Sequence, residues 1–258
     1  MLYAPEHGYY KQASERVGRS SRHDFYTAES LGRVFAQLVT TAAADLLPEG
    51  LATKSTFVEI AAEPGTSLIS HLDSHPFAGE RTIRQGDAID LSDCIVLFAN
   101  EWLDALPFHR LIFRDGQWRE RGVQLNKGSI LEETLLNDLS PQVTSVADRL
   151  PEDIEDGYEL DLPLEAENAL SELISQDWTG LILFFDYGRT WPALLQDHPS
   201  GTARTYKNHV QGSDLLERGA QRHCSDRGDE AHPHEAILGG LVIEERLSQC
   251  RHLFCRNR

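Results

Sequence analysis

The 258-residue sequence has no apolar run near the roughly 18 residues a membrane-spanning helix needs, so a helical membrane protein is not expected. Its opening, MLYAPEHGYYKQ, lacks the apolar core of a secretory signal and the Arg-rich amphipathic pattern of a transit peptide. Cysteine is scarce: Cys94 lies inside an apolar run, while Cys224, Cys250 and Cys255 fall near the C-terminal end without a CxxC pair. That spacing speaks against a disulfide framework or a zinc site and predicts a reducing, cytoplasmic location. His109, His198 and His209 have no ligand-like spacing either, and read as surface or packing residues. Positive charge is short too, with 24 Lys and Arg against 41 Asp and Glu, a net charge of −17. So acidic a chain lacks the basic face that grips phosphate backbones, which excludes general nucleic-acid binding. The same acidity suits plain solubility, or the steering of a cationic substrate.

What is present fits one large domain, or one domain with an insertion. An apolar content of 40% is that of a globular protein, and no internal repeat is visible. In DFYTAESLGRVFAQLVTTAAADLLP, apolar residues at Leu31, Val34, Phe35, Leu38, Val39, Ala42 and Leu46 have helical spacing. Thr27 or Ser30 can cap that helix and Pro48 marks its end. STFVEIAAEPG reads as a short strand and turn, TSLISHLDSHP as a short helix, and RTIRQGDAID as a second strand. CIVLFAN and GLILFFDYG are continuous apolar runs of the kind buried on both sheet faces. HRLIFRDGQWRERGVQLN alternates about Asp115-Gly116, a hairpin signature. Residues 127–161 are acidic and weakly periodic, which predicts helices on an exposed insertion, and LPLEAENALSELISQDW predicts an amphipathic helix.

Strands alternating with helices point to a doubly wound α/β sheet, in which ligands bind beyond the carboxyl ends of the strands. Three strand ends carry polar groups: Glu59 after TFV, Asn100-Glu101 after CIVLFA, and Asp186-Tyr187 after LILFF. Three such ends in register describe a site.

The runs LYAPEHGYY, DFYTAESLGRVFAQLV, FVEIAAEPGTSL, FANEWLDALPFHRLIFRDGQWRERGV, LFFDYG and GTARTYKNHVQGSDLLERGAQ carry a specific resemblance. Over residues 2 to about 221 the chain resembles the MidA-like family of class I S-adenosylmethionine-dependent methyltransferases. That family includes a mitochondrial complex I assembly arginine methyltransferase. The resemblance implies a Rossmann-like sheet with an inserted hairpin and helical segment at about residues 108–162, all in one methyltransferase-like domain. It implies S-adenosylmethionine as cofactor and a protein substrate, with a respiratory-complex subunit as the family's example. NEW resembles the acidic SEW loop of protein arginine methyltransferases, whose carboxylates hold a guanidinium by paired hydrogen bonds. By that likeness Glu101 is the first catalytic candidate and Asn100 an orienting group. Asp104 is a second acid, or only a cap on the following turn. Asp186 and Tyr187 form a wall of the substrate site, or Asp186 pairs with Arg189 or Arg204.

On the cofactor side, Glu59 and Gly65 fit the family's E-x-G-x-G-x-G run. Ala61 stands at the first glycine, a mild change where the backbone angles are ordinary, and Glu63 at the second adds bulk and negative charge. Asp24 and Thr27 match the family's GDF-x-T run, with His23 in the place of glycine; they approach the cofactor or cap a helix. Between Thr66 and Ala99 the chain is too short to hold the family's ribose-binding acid, for which Asp87 is a substitute, unless it aligns with the later acid near the adenine. After Gln221 the composition changes character (residues 222–258), as a truncation or shifted reading frame would produce. Two functions follow: a protein arginine methyltransferase, or a degenerate member that keeps the fold as a binding or assembly factor. Neither the acceptor protein nor the oligomeric state is written in a motif.

Overall fold

The computed structural model describes residues 28–62, 65–128, 130–207, 210–212, 215–216 and 223–224. A 3-10 turn at Ala28–Leu31 precedes helix α1 (Arg33–Leu46). The helix is entered through Gly32 at φ +53, which supplies no side-chain cap; of the expected caps, Thr27 and the Ser30 side chain lie outside what is described. Its buried arc is Phe35, Ala36, Val39, Thr40 and Ala43, while Leu31, Val34 and Leu38 are 47–63% exposed. The expected apolar face is therefore half right. The buried Thr40 hydroxyl is satisfied by donating to the Ala36 carbonyl at 2.8 Å.

Next come β1 (Thr56–Ala62), β2 (Gly79–Arg84) and β3 (Asp93–Asn100). The short helix expected between β1 and β2 is only a 3-10 turn at Ile69–His71. Ser67 and Ser70 bond to each other's backbone there, giving the chain an alternative to helical hydrogen bonds. After β3 follow β4 (His109–Arg114), β5 (Gln117–Leu125), β6 (Leu131–Leu135), the one-turn helix α2 (Pro141–Thr144) and β7 (Glu159–Leu162). Helix α3 (Leu164–Ser175) leads into β8 (Trp178–Phe185), and α4 (Trp191–Asp197) leads to β9 (Arg204–Lys207), β10 (Val210–Gly212) and β11 (His223–Cys224).

The first sheet has the order β2-β1-β3-β8, all parallel. Its two inner strands are buried on both faces because the two faces have separate cores. Phe57, Val96, Phe98, Leu181 and Leu183 pack with α1, whereas Val58, Ile60, Ile95, Leu97 and Ile182 pack with Ala166, Leu170 and Leu173 of α3. Full burial of a side chain such as Phe57 or Phe98 contributes about 2–3 kcal/mol. Cys94 is a free thiol 3.1 Å from the Ser55 hydroxyl.

The second sheet has the antiparallel order β6-β5-β4-β7. Asp115 and Gly116 both take left-handed angles (φ +54 and +75), as a two-residue hairpin turn requires. Residues 127–161 are mainly strand and single turns rather than the expected helices. β6 pairs residue for residue with β5, and α2 stops after one turn capped by Ser140. Arg110 donates to Glu133, Glu159 and Asp161, and Arg121 to Glu133 and Glu159, which ties all four strands together. His109 packs at 2.7 Å from the buried Glu120. Burial pushes the Glu120 carboxyl up, but the Ser140 N–H and His109 together outweigh it and hold it below its usual range. A third, small sheet has the order β10-β9-β11. Among the described residues no helix is long and apolar enough to cross a membrane.

Candidate functional site

β1, β3 and β8 are adjacent and parallel, so their carboxyl ends open on one edge of the sheet. At the end of β1 the register with β2 slips between Ile60 and Ala62, and the residue between them, Ala61, has φ +62. That is the left-handed region, which glycine visits freely and a residue with a Cβ occupies at a cost of roughly 1–2 kcal/mol. The backbone angles of Ala61 are therefore not ordinary. The position keeps a glycine's conformation without a glycine. Gly65, at φ +80, has open space where a Cβ would point. Glu59 sits inside the strand rather than at its end, 3% exposed, and accepts the Leu68 N–H at 2.7 Å. It thereby anchors the far side of the turn to the strand that begins it.

β2 bonds directly to β1 and ends in Arg84, whose guanidinium donates to the Thr66 carbonyl at 2.7 Å. Asp87 closes the next turn: its N–H donates to the Arg84 carbonyl, and its carboxylate accepts the Arg84 N–H at 3.2 Å. Above these ends lies a cavity of about 270 Å³ walled by Ile60, Arg84, Gln85, Ile89, Trp102 and Leu106. Its walls are mainly apolar. They join the end of β1 to the segment that follows β3.

That segment is the acidic loop. Asn100 pairs with Phe185 at the end of β3. Glu101 then turns the chain at φ +49, its N–H donating to the Phe185 carbonyl at 2.7 Å. Trp102 is buried edge-on against Phe184 with ring centres 5.9 Å apart. Leu103–Ala105 forms a 3-10 turn. Asp186 accepts the N–H groups of Leu103 (2.7 Å), Asp104 (3.3 Å) and Tyr187 (2.9 Å). So Asp186 caps the turn, and Asp104 supplies a capped backbone rather than a cap. The alternative reading of Asp186, a pairing with Arg189 or Arg204, is not formed. Arg189 pairs with Asp197, and the Arg204 guanidinium donates to the carbonyls of Gly201 and Ala203. The Tyr187 hydroxyl reaches the Glu101 carboxylate at 3.4 Å.

Asp186 as a residue is half-buried, yet its carboxylate is enclosed, and the enclosure governs its charge. Burial first, and then the neighbouring Asp104, push its carboxyl well above the usual range, and the three N–H donors only partly offset them. Among the expected residues, the structure gathers Asn100, Glu101, Asp104, Asp186 and Tyr187 around one loop. Ala61, Gly65 and Asp87 belong to the turns across the cavity, and Asp24 and Thr27 lie outside the described residues. The cavity walls Ile89, Trp102 and Leu106 were missed in the sequence, although a Trp set between acids was a signal. No group of three His, Cys, Asp or Glu able to hold a metal occurs among the described residues.

A protein-family model described as "Putative S-adenosyl-L-methionine-dependent methyltransferase" matches residues 58–224. The chain is 25% identical over 172 residues to the Protein arginine methyltransferase NDUFAF7 homolog, mitochondrial, of Drosophila melanogaster; the match covers 60% of this chain and 38% of that protein. A crystal structure from Burkholderia thailandensis, bound to S-adenosyl-homocysteine, shares the fold with a TM-score of 0.71 at 21% identity. It covers 87% of this chain and 66% of its own. A native crystal structure from the same organism gives a TM-score of 0.64 at 19% identity, covering 87% and 64%. The chain thus spans well under half of the curated relative and just under two thirds of the structural neighbours.

Proposed function

This chain belongs to the family of S-adenosyl-L-methionine-dependent methyltransferases, and from that premise we propose that it transfers a methyl group to an arginine side chain of a protein. The observation that carries the acceptor is the loop from Asn100 to Asp104: two acids on either side of Trp102, which walls the cavity, with Glu101 held at a left-handed φ. Backbone strain kept at such a point is a mark of a position fixed for function.

The residues fit the cofactor. An apolar cavity walled by Ile60, Ile89, Trp102 and Leu106 suits a flat adenine base. Ala61 and Gly65 keep the left-handed angles that let a backbone approach a ligand closely, and Glu63 between them lies outside the described residues. Asp87 is the acid at hand for the ribose hydroxyls. When bound, the cofactor supplies an electrophilic methyl on a sulfonium. What remains for the protein is alignment and charge. Glu101 accepts hydrogen bonds from the guanidinium and holds one nitrogen in line, and Asn100 orients the fork. Asp104 adds a second negative charge, and the Glu101 carboxylate is the base nearest the proton that the methylated nitrogen sheds. The acceptor is a protein, as the fly relative's name supports, and a respiratory-complex subunit is the partner that the family resemblance of the sequence implies. A reducing compartment suits the Cys94 thiol; we assign the cytoplasm, whereas the fly relative is named mitochondrial.

One observation favours a second reading, a binding or assembly factor without transfer. β2 lies directly against β1 and ends in Arg84, and Asp87 is engaged in its own turn. Calorimetric titration with S-adenosylmethionine and S-adenosylhomocysteine separates the two. Binding is expected, and no heat at millimolar ligand leaves only the second reading. Glu101→Gln is then expected to abolish transfer to arginine peptides with nearly unchanged cofactor affinity. A parallel loss of affinity would move Glu101 to the cofactor side.

A further inference from the structure

We propose that Asp186 is a positioning residue, which clamps the backbone of the acidic loop so that Glu101 keeps its left-handed conformation, while Tyr187 steers the Glu101 carboxylate. Three backbone donors converge on Asp186, and they come from two chain segments. Leu103, 83 positions away in sequence, donates to one oxygen at 2.7 Å; Tyr187 at 2.9 Å and Asp104 at 3.3 Å donate to the other. With both oxygens engaged, the carboxylate is a poor partner for a guanidinium fork, which needs two oxygens presented side by side. The strand end preceding it completes the clamp, since the Phe185 carbonyl receives the Glu101 N–H at 2.7 Å.

The loop needs such a clamp. Glu101 stands at φ +49, a conformation a glutamate holds only where its surroundings over-determine it. The turn beyond it spans three residues, too few to be stable alone. The Tyr187 hydroxyl, 3.4 Å from the Glu101 carboxylate, extends the same control from backbone to side chain. Asp186 and Tyr187 therefore act on the acceptor through Glu101. That effect on catalysis rests on the proposed arginine methyl transfer, whereas the clamp itself does not.

Asp186→Asn tests both parts in the full-length chain, because an amide replaces one acceptor oxygen by a donor that opposes the Leu103 or Tyr187 N–H. Hydrogen exchange followed by mass spectrometry is expected to speed up about tenfold over residues 101–105 and to stay unchanged over β1 and β3. Transfer to an arginine peptide is expected to fall about tenfold in kcat, with KM for S-adenosylmethionine and affinity for S-adenosylhomocysteine preserved. Unchanged exchange over residues 101–105 would overturn the clamp. A uniform rise across the sheet would reduce Asp186 to a general structural cap, and loss of cofactor affinity in step with transfer would assign it to the cofactor site. Tyr187→Phe removes a single hydroxyl, and so carries the test if the first variant does not fold. A several-fold drop in kcat at wild-type exchange rates is expected, and an unchanged kcat refutes the steering. If the wild-type chain methylates no arginine peptide, the functional reading fails and the exchange comparison still decides the clamp.

Discussion

Ala61, Asp93, Glu101 and Asp115 all have positive φ, and their side chains tolerate it unequally. Aspartate visits this region readily because its short polar side chain bonds to nearby backbone. Asp115 does so in a hairpin turn that demands it. Ala61 has no such compensation and stands in the bulge that ends β1. Ala61→Gly is therefore expected to raise stability by about 1 kcal/mol, the left-handed penalty less the added chain entropy of glycine. Urea unfolding measures it, and a loss of stability would mean that the Ala61 methyl packs better than its backbone is strained. Glu101 bears a comparable penalty, with its carboxylate 3.4 Å from the Tyr187 hydroxyl. Natural sequences retain such strain where the side chain does a job.

Between strands, a close approach is made by β8 against β3. Gly180 pairs with Ile95 at φ +135, and a Cβ there would overlap the Ile95 carbonyl oxygen and crowd its carbonyl carbon and nitrogen. Gly180→Ala is expected to cost about 3 kcal/mol or more, because backbone cannot give way as a flexible side chain does. A melting curve within a degree or two of wild type would show that β8 can slide. Which elements were legible in the sequence follows from similar physics. CIVLF and LILFF announced strands buried on both faces because helices cover both faces, and Asp115-Gly116 announced its turn because few dipeptides accept two left-handed residues. Residues 127–161 gave no such signal. β6 lies at an edge with alternate residues exposed, and α2 is one turn long, too short to show a period. In α1 the apolar set was misjudged because it holds two adjoining stripes: Phe35, Val39 and Ala43 face the sheet, while Val34 and Leu38, one position round the helix, are exposed. The acidic loop stood out from its residues, while the place of Asp186 did not. Its partners are backbone N–H groups, which every residue but proline has and no motif can record.

As a whole the molecule carries a net charge of −17, and its candidate acceptor loop adds Glu101 and Asp104 to that field. A cationic peptide would be drawn to such a surface over several ångströms and more weakly as salt shortens the screening length. Raising ionic strength from about 0.05 to 0.3 M should weaken binding of an arginine peptide several-fold and leave S-adenosylhomocysteine, which has no net charge, nearly unaffected. Calorimetry at the two ionic strengths checks this, and equal salt slopes would remove electrostatic steering from the account. The insertion of a whole antiparallel sheet between β3 and β8 has a different consequence, one of time. Asp93 must find Trp178, so a loop of about eighty residues closes before β8 can join β3 in the parallel sheet. The hairpin of β4 and β5, joined by two residues, has no such wait. The order of assembly is thereby set: the peripheral sheet condenses early from local contacts, and the strands that carry the acidic loop and its clamp are brought together late.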